Sequence, residues 1–303
     1  MNTISLNNKT TWIDLDKPTK DDIEHLRQNF QFHSVVLNEL MPDTIRTKVD
    51  NYDDYFYIVL HFPSFDKKSR ASKSQELDIL ITKDHIITTH KETIIPLKSI
   101  FDKCNLYPEE KEKYLSDGPA KLLYLILDEF LSSCLSHLDD ISEFIDKTEN
   151  AIFHGKEKEM VREISIIKRN ILDFRRALKP QKQILESLHM TISQFFGDKY
   201  DPFFNNLIGH HLRLWDVLDN YKELTESLES TNATLFSSKL NETMKILTIF
   251  TALLLPISII SGVFGMNVYV PFQNHPQGFF IIIALLVSAF LGLYLLFKKK
   301  RII

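Results

Sequence analysis

Two stretches near the end of the chain, residues 246–264 and 279–297, are each nineteen residues long and contain no Asp, Glu, Lys, Arg or His. About 20 apolar residues in a helix cross the ~30 Å hydrocarbon core of a bilayer. The pattern therefore predicts two transmembrane helices, joined by a short turn that opens with Gly265-Met266-Asn267. Two helices cannot enclose a polar path alone, so a conducting hairpin requires a ring of identical subunits.

The preceding residues mix periods. Thr11-Trp12-Ile13-Asp14-Leu15 reads as a short strand, and the aromatic and β-branched run 55–62 as a well-buried one. Residues 75–81 alternate, with Leu77, Ile79 and Ile81 on one face, and Lys83-Asp84 then turns the chain into 85–89, which predicts a hairpin. Residues 21–30 and 34–41 have helical spacing, with Ser34 as N-cap and Pro42 closing the second segment. Strand signals end near Pro96, and three long helical patterns follow: 119–153, 156–196 and 202 onward. His154-Gly155 and residues 197–201 mark the breaks, and Pro180 is expected to kink the second pattern. A helix from Pro202 to Phe264 would span roughly 95 Å at ~1.5 Å per residue.

The resulting division is an α/β domain over 1–95, a helical part over 96–201, and a long stalk helix over 202–264 whose end is the first membrane helix. A loop over 265–278, a second membrane helix over 279–297 and a basic tail over 298–303 complete it.

Composition supports this division and removes other classes. Charged residues make up 25% of the chain and lie almost wholly before residue 246, so a mean hydropathy of −0.12 masks the apolar end. The formal net charge is −4 with no basic tract outside the C-terminus, which gives nucleic acid no electrostatic footprint. Cys104 and Cys134 lack metal-ligand spacing and read as reduced thiols of a cytoplasmic body. The N-terminus has neither the basic start nor the apolar core of a signal peptide. Lys298, Lys299, Lys300 and Arg301 follow the second run and Lys239 and Lys245 precede the first, while His275 is the one ionisable group of the loop. The positive-inside rule then places both termini in the cytoplasm.

Along the first membrane run, Asn241, Met244, Thr248, Thr251, Leu255, Ser258 and Gly262 recur at alternating steps of three and four, forming one seam. Small and polar groups at membrane depth face protein or water. The seam is therefore either a pore wall or a close-packing stripe. In the turn, Asn267 offers a neutral carbonyl oxygen, and copies of it around an axis would accept from a cation's water shell without stripping it. Mg²⁺ dehydrates reluctantly, so such a ring suits it. Leu255 and Met244, with Leu247 beside them, are candidate constrictions that close by dewetting.

Other chemistry is thin. His210-His211, His33, His61, His85 and His90 have no carboxylate or cysteine partners at ligand spacing, and read as structural or solvent-facing. Asp53-Asp54 and Asp139-Asp140 read as solvated pairs, and no phosphate loop, nucleophile elbow or Walker pattern indicates an enzyme or ATP-driven transport.

The string Asn241-Glu242-Thr243-Met244-Lys245-Ile246-Leu247-Thr248, then Pro256, Gly262 and Phe264-Gly265-Met266-Asn267, resembles the CorA family of magnesium channels. The resemblance extends to Thr11-Trp12-Ile13, Lys48-Val49-Asp50, the strand at 55–60 and Leu122-Leu123-Tyr124. It implies a funnel-shaped homopentamer in the inner membrane, with the first membrane helix lining the pore and the second facing lipid. Gly265, Met266 and Asn267 would form the selectivity filter, and Asn241, Met244, Leu247 or Thr248, Thr251, Leu255, Ser258 and Gly262 would line the pore. Mg²⁺ would be both cargo and regulator, entering down its electrochemical gradient.

The same resemblance places regulatory metal at Glu39, Asp128 and Asn206, although Asn206 stands where an Asp is usual and Asn38 where another acid occurs. The loop lacks the acids that relatives carry after the signature, and Phe264 replaces a common Tyr. Lys298 to Arg301 would anchor topology, touch lipid head groups or form a basic ring. Alternatives are a Zn²⁺, Co²⁺ or Ni²⁺ transporter on the same scaffold, with Met266 favouring magnesium, and a membrane-tethered binding or scaffold protein.

Overall fold

Six strands form one mixed sheet in the order β1-β2-β6-β5-β4-β3. They are β1 (Asn2–Leu6), β2 (Thr10–Asp16), β3 (Lys48–Asn51), β4 (Phe56–Asp66), β5 (Ala71–Ile81) and β6 (His85–His90). β2 and β6 run parallel; every other pairing is antiparallel. The structure, a computed structural model, describes residues 1–6, 10–44, 46–266, 271 and 276–300.

The predicted hairpin is β5–β6, closed by a two-residue turn in which the Thr82 amide donates to the His85 carbonyl at 2.9 Å. β5 departs from the one-sided reading, because residues 77–81 are all buried. Helices cover both faces of the sheet. On one face, α1 (Lys20–Asn29) and α2 (Ser34–Glu39) bring Leu26, Val36, Leu37 and Leu40 onto Leu15, Tyr57, Val59, Leu80 and Ile87. On the other, Trp12 meets Phe101 with ring centroids 4.9 Å apart, Phe62 meets Phe130 at 4.4 Å, and Phe56 packs on Phe195 and Phe196. A strand buried on both sides loses its alternation. β1 and β3, short edge strands of mixed polarity, had no such signal.

Two helix boundaries also differ from expectation. The N-cap of α2 is His33, whose Nδ1 accepts from the Val35 amide at 3.2 Å, so Ser34 is the first helical residue. Pro180 breaks the second helical pattern instead of kinking it: α6 (Glu157–Leu178) ends two residues before it and α7 (Gln181–Phe196) starts one after. Its missing N–H and its clash with the preceding turn account for the stop. Gln181, 1% exposed, donates Nε2 to the His61 carbonyl at 2.5 Å and ties the new helix to β4.

The remaining helices are α3 (Ile95–Leu106), α4 (Pro108–Leu115), α5 (Pro119–Phe153), α8 (Asp201–Phe264) and α9 (Gly278–Lys299). Gly155 (φ 84°) and Gly197 (φ 85°) end α5 and α7 in left-handed backbone, which costs a Cβ-bearing residue roughly 1–2 kcal/mol. The chain divides into two compact units, Met1–Ser230 and Thr231–Ile303. The first holds the sheet and α1–α7; the second holds the apolar part of α8 and all of α9.

Candidate pore helix and cation sites

In α8, Leu240, Met244, Leu247, Leu254, Leu255, Ile259 and Val263 are exposed large apolar residues, and α9 exposes Phe279, Leu285, Leu291 and Leu295 among others. Neither apolar window buries any residue within the chain, and both helices are long and apolar enough to cross a membrane. Apolar surface on this scale needs lipid or further protein against it.

The seam residues share one strip of that surface. Leu247, Thr248, Thr251 and Leu255 line a common shallow groove of about 320 Å³ with Ala252. The hydroxyls are already spent as donors within the helix: Thr248 Oγ1 donates to the Met244 carbonyl at 2.7 Å, Thr251 Oγ1 to Leu247 at 2.9 Å and Ser258 Oγ to Leu254 at 3.1 Å. A hydroxyl that gives its hydrogen to the backbone keeps two lone pairs. The polar seam positions thus present acceptors outward, the chemistry a cation's water shell requires. Asn241 is exposed, and Gly262 has open space where a Cβ would stand.

Of the signature tripeptide, Gly265 and Met266 are described and Asn267 lies outside the described residues. The Gly265 amide donates to the Ser261 carbonyl at 2.9 Å, and a Cβ on Gly265 would sit 3.1 Å from that same oxygen. A Cβ there would require that carbonyl to give by a few tenths of an ångström. Lys298, Lys299 and Lys300 are exposed, and the first two occupy the last turn of α9, where they complement the helix dipole. Arg301 and His275 lie outside the described residues.

The regulatory candidates sit on separate elements, and each has a partner. Glu39 accepts from Lys48 Nζ at 2.6 Å, and the same amine lies 2.6 Å from Asp50. Burial pulls the Lys48 pKa down, but its bonds to Asp50 and Glu39 outweigh this and leave it raised. Lys48 therefore stays cationic between the two carboxylates. Asp128 Oδ1 lies 2.8 Å from His210 Nδ1 on α8 without a hydrogen-bond alignment. Asn206, one turn before His210, accepts from the Tyr124 hydroxyl at 3.4 Å. Among the described residues no three His, Cys, Asp or Glu side chains converge as a metal-binding group, so these positions do not complete a site within one chain.

Two contacts between elements leave no signal in the sequence. His210, expected to be structural or solvent-facing, is half-exposed and sits against Asp128; the pairing joins α5 to α8 and has no sequence periodicity. A buried network, in which Trp12 Nε1 donates to Thr88 Oγ1 at 3.0 Å and Thr88 to Asp14 at 2.6 Å, also brings His90 within 3.3 Å of Asp14. Register supplies it, since β2 and β6 place Asp14 opposite Thr88.

Comparison with known proteins matches residues 7–299 to the model of the CorA-like Mg²⁺ transporter protein family. The chain is 24% identical over 294 residues to the cobalt/magnesium transport protein CorA of Thermotoga maritima, covering 96% of this chain and 83% of that protein. It is likewise 24% identical to the CorA of Methanocaldococcus jannaschii, over 95% of this chain and 90% of the other. The complete structure of the CorA magnesium transporter from Methanocaldococcus jannaschii superposes with a TM-score of 0.84 at 23% identity, covering 99% of this chain and 93% of that one.

Proposed function

The chain belongs to the CorA-like Mg²⁺ transporter family, and from that premise we propose that it forms a homopentameric Mg²⁺ channel of the inner membrane with both termini in the cytoplasm. Transport is passive and driven by membrane potential, worth ~4.6 kcal/mol per 100 mV for a divalent ion. The apolar part of α8 lines the pore and α9 faces lipid. Gly265, Met266 and Asn267 form the outer filter, with Met244, Leu247 and Leu255 as dewetting constrictions. Lys298 to Arg301 hold the cytoplasmic end of α9 at the head groups.

The observation that carries this reading is the seam of α8. An exposed, uncharged membrane-length surface bears Thr248, Thr251 and Ser258 with their hydroxyl hydrogens turned into the helix. Acceptors alone then face outward, as a hydrated cation needs. Ser288 of α9 also donates to its own helix, at the Leu285 carbonyl, so what supports the pore wall is the grouping of several polar positions along one seam of α8. In this reading Glu39, Asp128 and Asn206 contribute to regulatory Mg²⁺ sites completed between subunits, and the neutral Asn206 weakens the response. Co²⁺ is a second cargo, in keeping with the cobalt/magnesium relatives.

Growth of a magnesium-uptake-deficient strain tests the filter. Asn267→Ala should abolish rescue while the oligomer stays intact, and undiminished rescue would remove the filter role.

A further inference from the structure

The first unit contains a cleft that ion conduction does not use. It is an open cavity of about 910 Å³ between β3, the start of β5 and the junction of α6 with α7. Its size is that of an ordinary ligand pocket, which runs to roughly 300–1,000 Å³.

The charge of the cleft is wrong for a metal ion. Among the described residues Arg46, Lys48, Lys73 and Arg176 line it, against the carboxylates of Asp50 and Asp173. Lys48 is held by both Asp50 and Glu39 at 2.6 Å and offers no free charge. Arg46 has no ion pair among the described residues. Arg176 reaches Asp173 at only 3.4 Å with its side chain 80% exposed, and Lys73 holds Glu92 across a surface pair in which both side chains are about 60% exposed. Such surface pairs contribute little and exchange readily. Three cations are therefore available to an anion from two sides of the cleft.

The walls are fixed and their lining is mixed. Asn170, 5% exposed, accepts from the Ser72 amide at 3.0 Å and donates to the Arg70 carbonyl at 3.1 Å, holding the β4–β5 hairpin on α6. Gln181 holds α7 to β4 from the other side. Ser72 belongs to the same wall, with its Oγ buried behind the cleft surface and without a hydrogen-bond partner. Val49, Pro180 and Ile184 add an apolar patch beside the cations.

We infer that this cleft binds a nucleoside polyphosphate in its magnesium-free form. Arg46, Lys73 and Arg176 take the phosphates, and the base lies on Val49, Pro180 and Ile184. Magnesium cancels two of the ligand's negative charges, so the complexed form meets a weaker field in the same cleft. Binding then rises as Mg²⁺ falls, and the sheet-bearing unit receives a low-magnesium signal at a cleft whose Lys48 also holds Glu39.

Equilibrium dialysis of radiolabelled ATP against the full-length protein in detergent, with EDTA present, tests this. Saturable binding should be weakened about tenfold or more in Arg46→Ala/Arg176→Ala and also by excess Mg²⁺. Sodium tripolyphosphate should compete more weakly than ATP. No saturable binding, undiminished binding by the double variant, or tighter binding with Mg²⁺ would overturn the assignment, and equal competition by tripolyphosphate would overturn the base contact. Gel filtration shows whether the double variant keeps its assembly; if it does not, Lys73→Glu replaces it with the same expected loss.

Discussion

Two buried titratable residues of the sheet give the sheet-bearing unit a pH signature. Asp78 is 2% exposed and accepts from the Tyr57 hydroxyl at 3.2 Å and from Thr89 at 3.4 Å. Burial, and then the charge of Glu76, push its pKa from 3.8 up to about 7. Between those values the folded state holds a proton that the unfolded chain has lost, so stability falls as pH rises. The difference is on the order of a few kcal/mol at ~1.4 kcal/mol per pKa unit. For His90, burial disfavours the charged ring, but Asp14, the Glu92 carbonyl and Asp16 together outweigh it and the net shift is upward. That contribution is present below the ordinary histidine range and is lost as pH climbs through the raised value. Thermal unfolding of the purified protein should therefore show the melting temperature falling from pH 5 to pH 8. Asp78→Asn should flatten most of that slope and leave the His90 part. A slope unchanged by Asp78→Asn contradicts the assignment.

At the scale of elements, what could be read from the chain depended on whether an element's environment left a period in its sequence. The membrane runs, the β5–β6 hairpin and the breaks at Gly155 and Gly197 were legible because length, turn chemistry and left-handed backbone are local demands. β1 and β3 were not, because an edge strand is held by pairing with β2 or β4 and carries little pattern of its own. The seam was visible as spacing in α8, but the orientation of its hydroxyls was not, since it depends on backbone carbonyls one turn away. The contacts Asp128–His210 and Glu39–Lys48 were equally hidden, because each joins different elements. The seam has its own test. If Leu247 is part of an apolar constriction, Leu247→Asn should wet it and raise Mg²⁺ flux under high cytoplasmic Mg²⁺ about tenfold, equivalent to ~1.4 kcal/mol off the barrier. Flux into vesicles that stays as low as in the parent protein would exclude Leu247 from the gate.

The whole molecule joins a charged unit bearing the sheet to a second unit that exposes two long apolar helical stretches. Family membership connects them: the family moves divalent cations across membranes and carries out no enzymatic step. The loop at 265–278 contains no acids, so the proposed filter would attract cations through neutral oxygens and select by matching a hydrated ion. The direct test is ion flux into proteoliposomes of the purified full-length protein, with the interior potential set by a potassium gradient and Mg²⁺ or Zn²⁺ supplied outside. Influx of Mg²⁺ should increase as the interior is made more negative and should exceed that of Zn²⁺. Mg²⁺ entry no greater than in protein-free vesicles, or Zn²⁺ entry without Mg²⁺ entry, would contradict a magnesium channel.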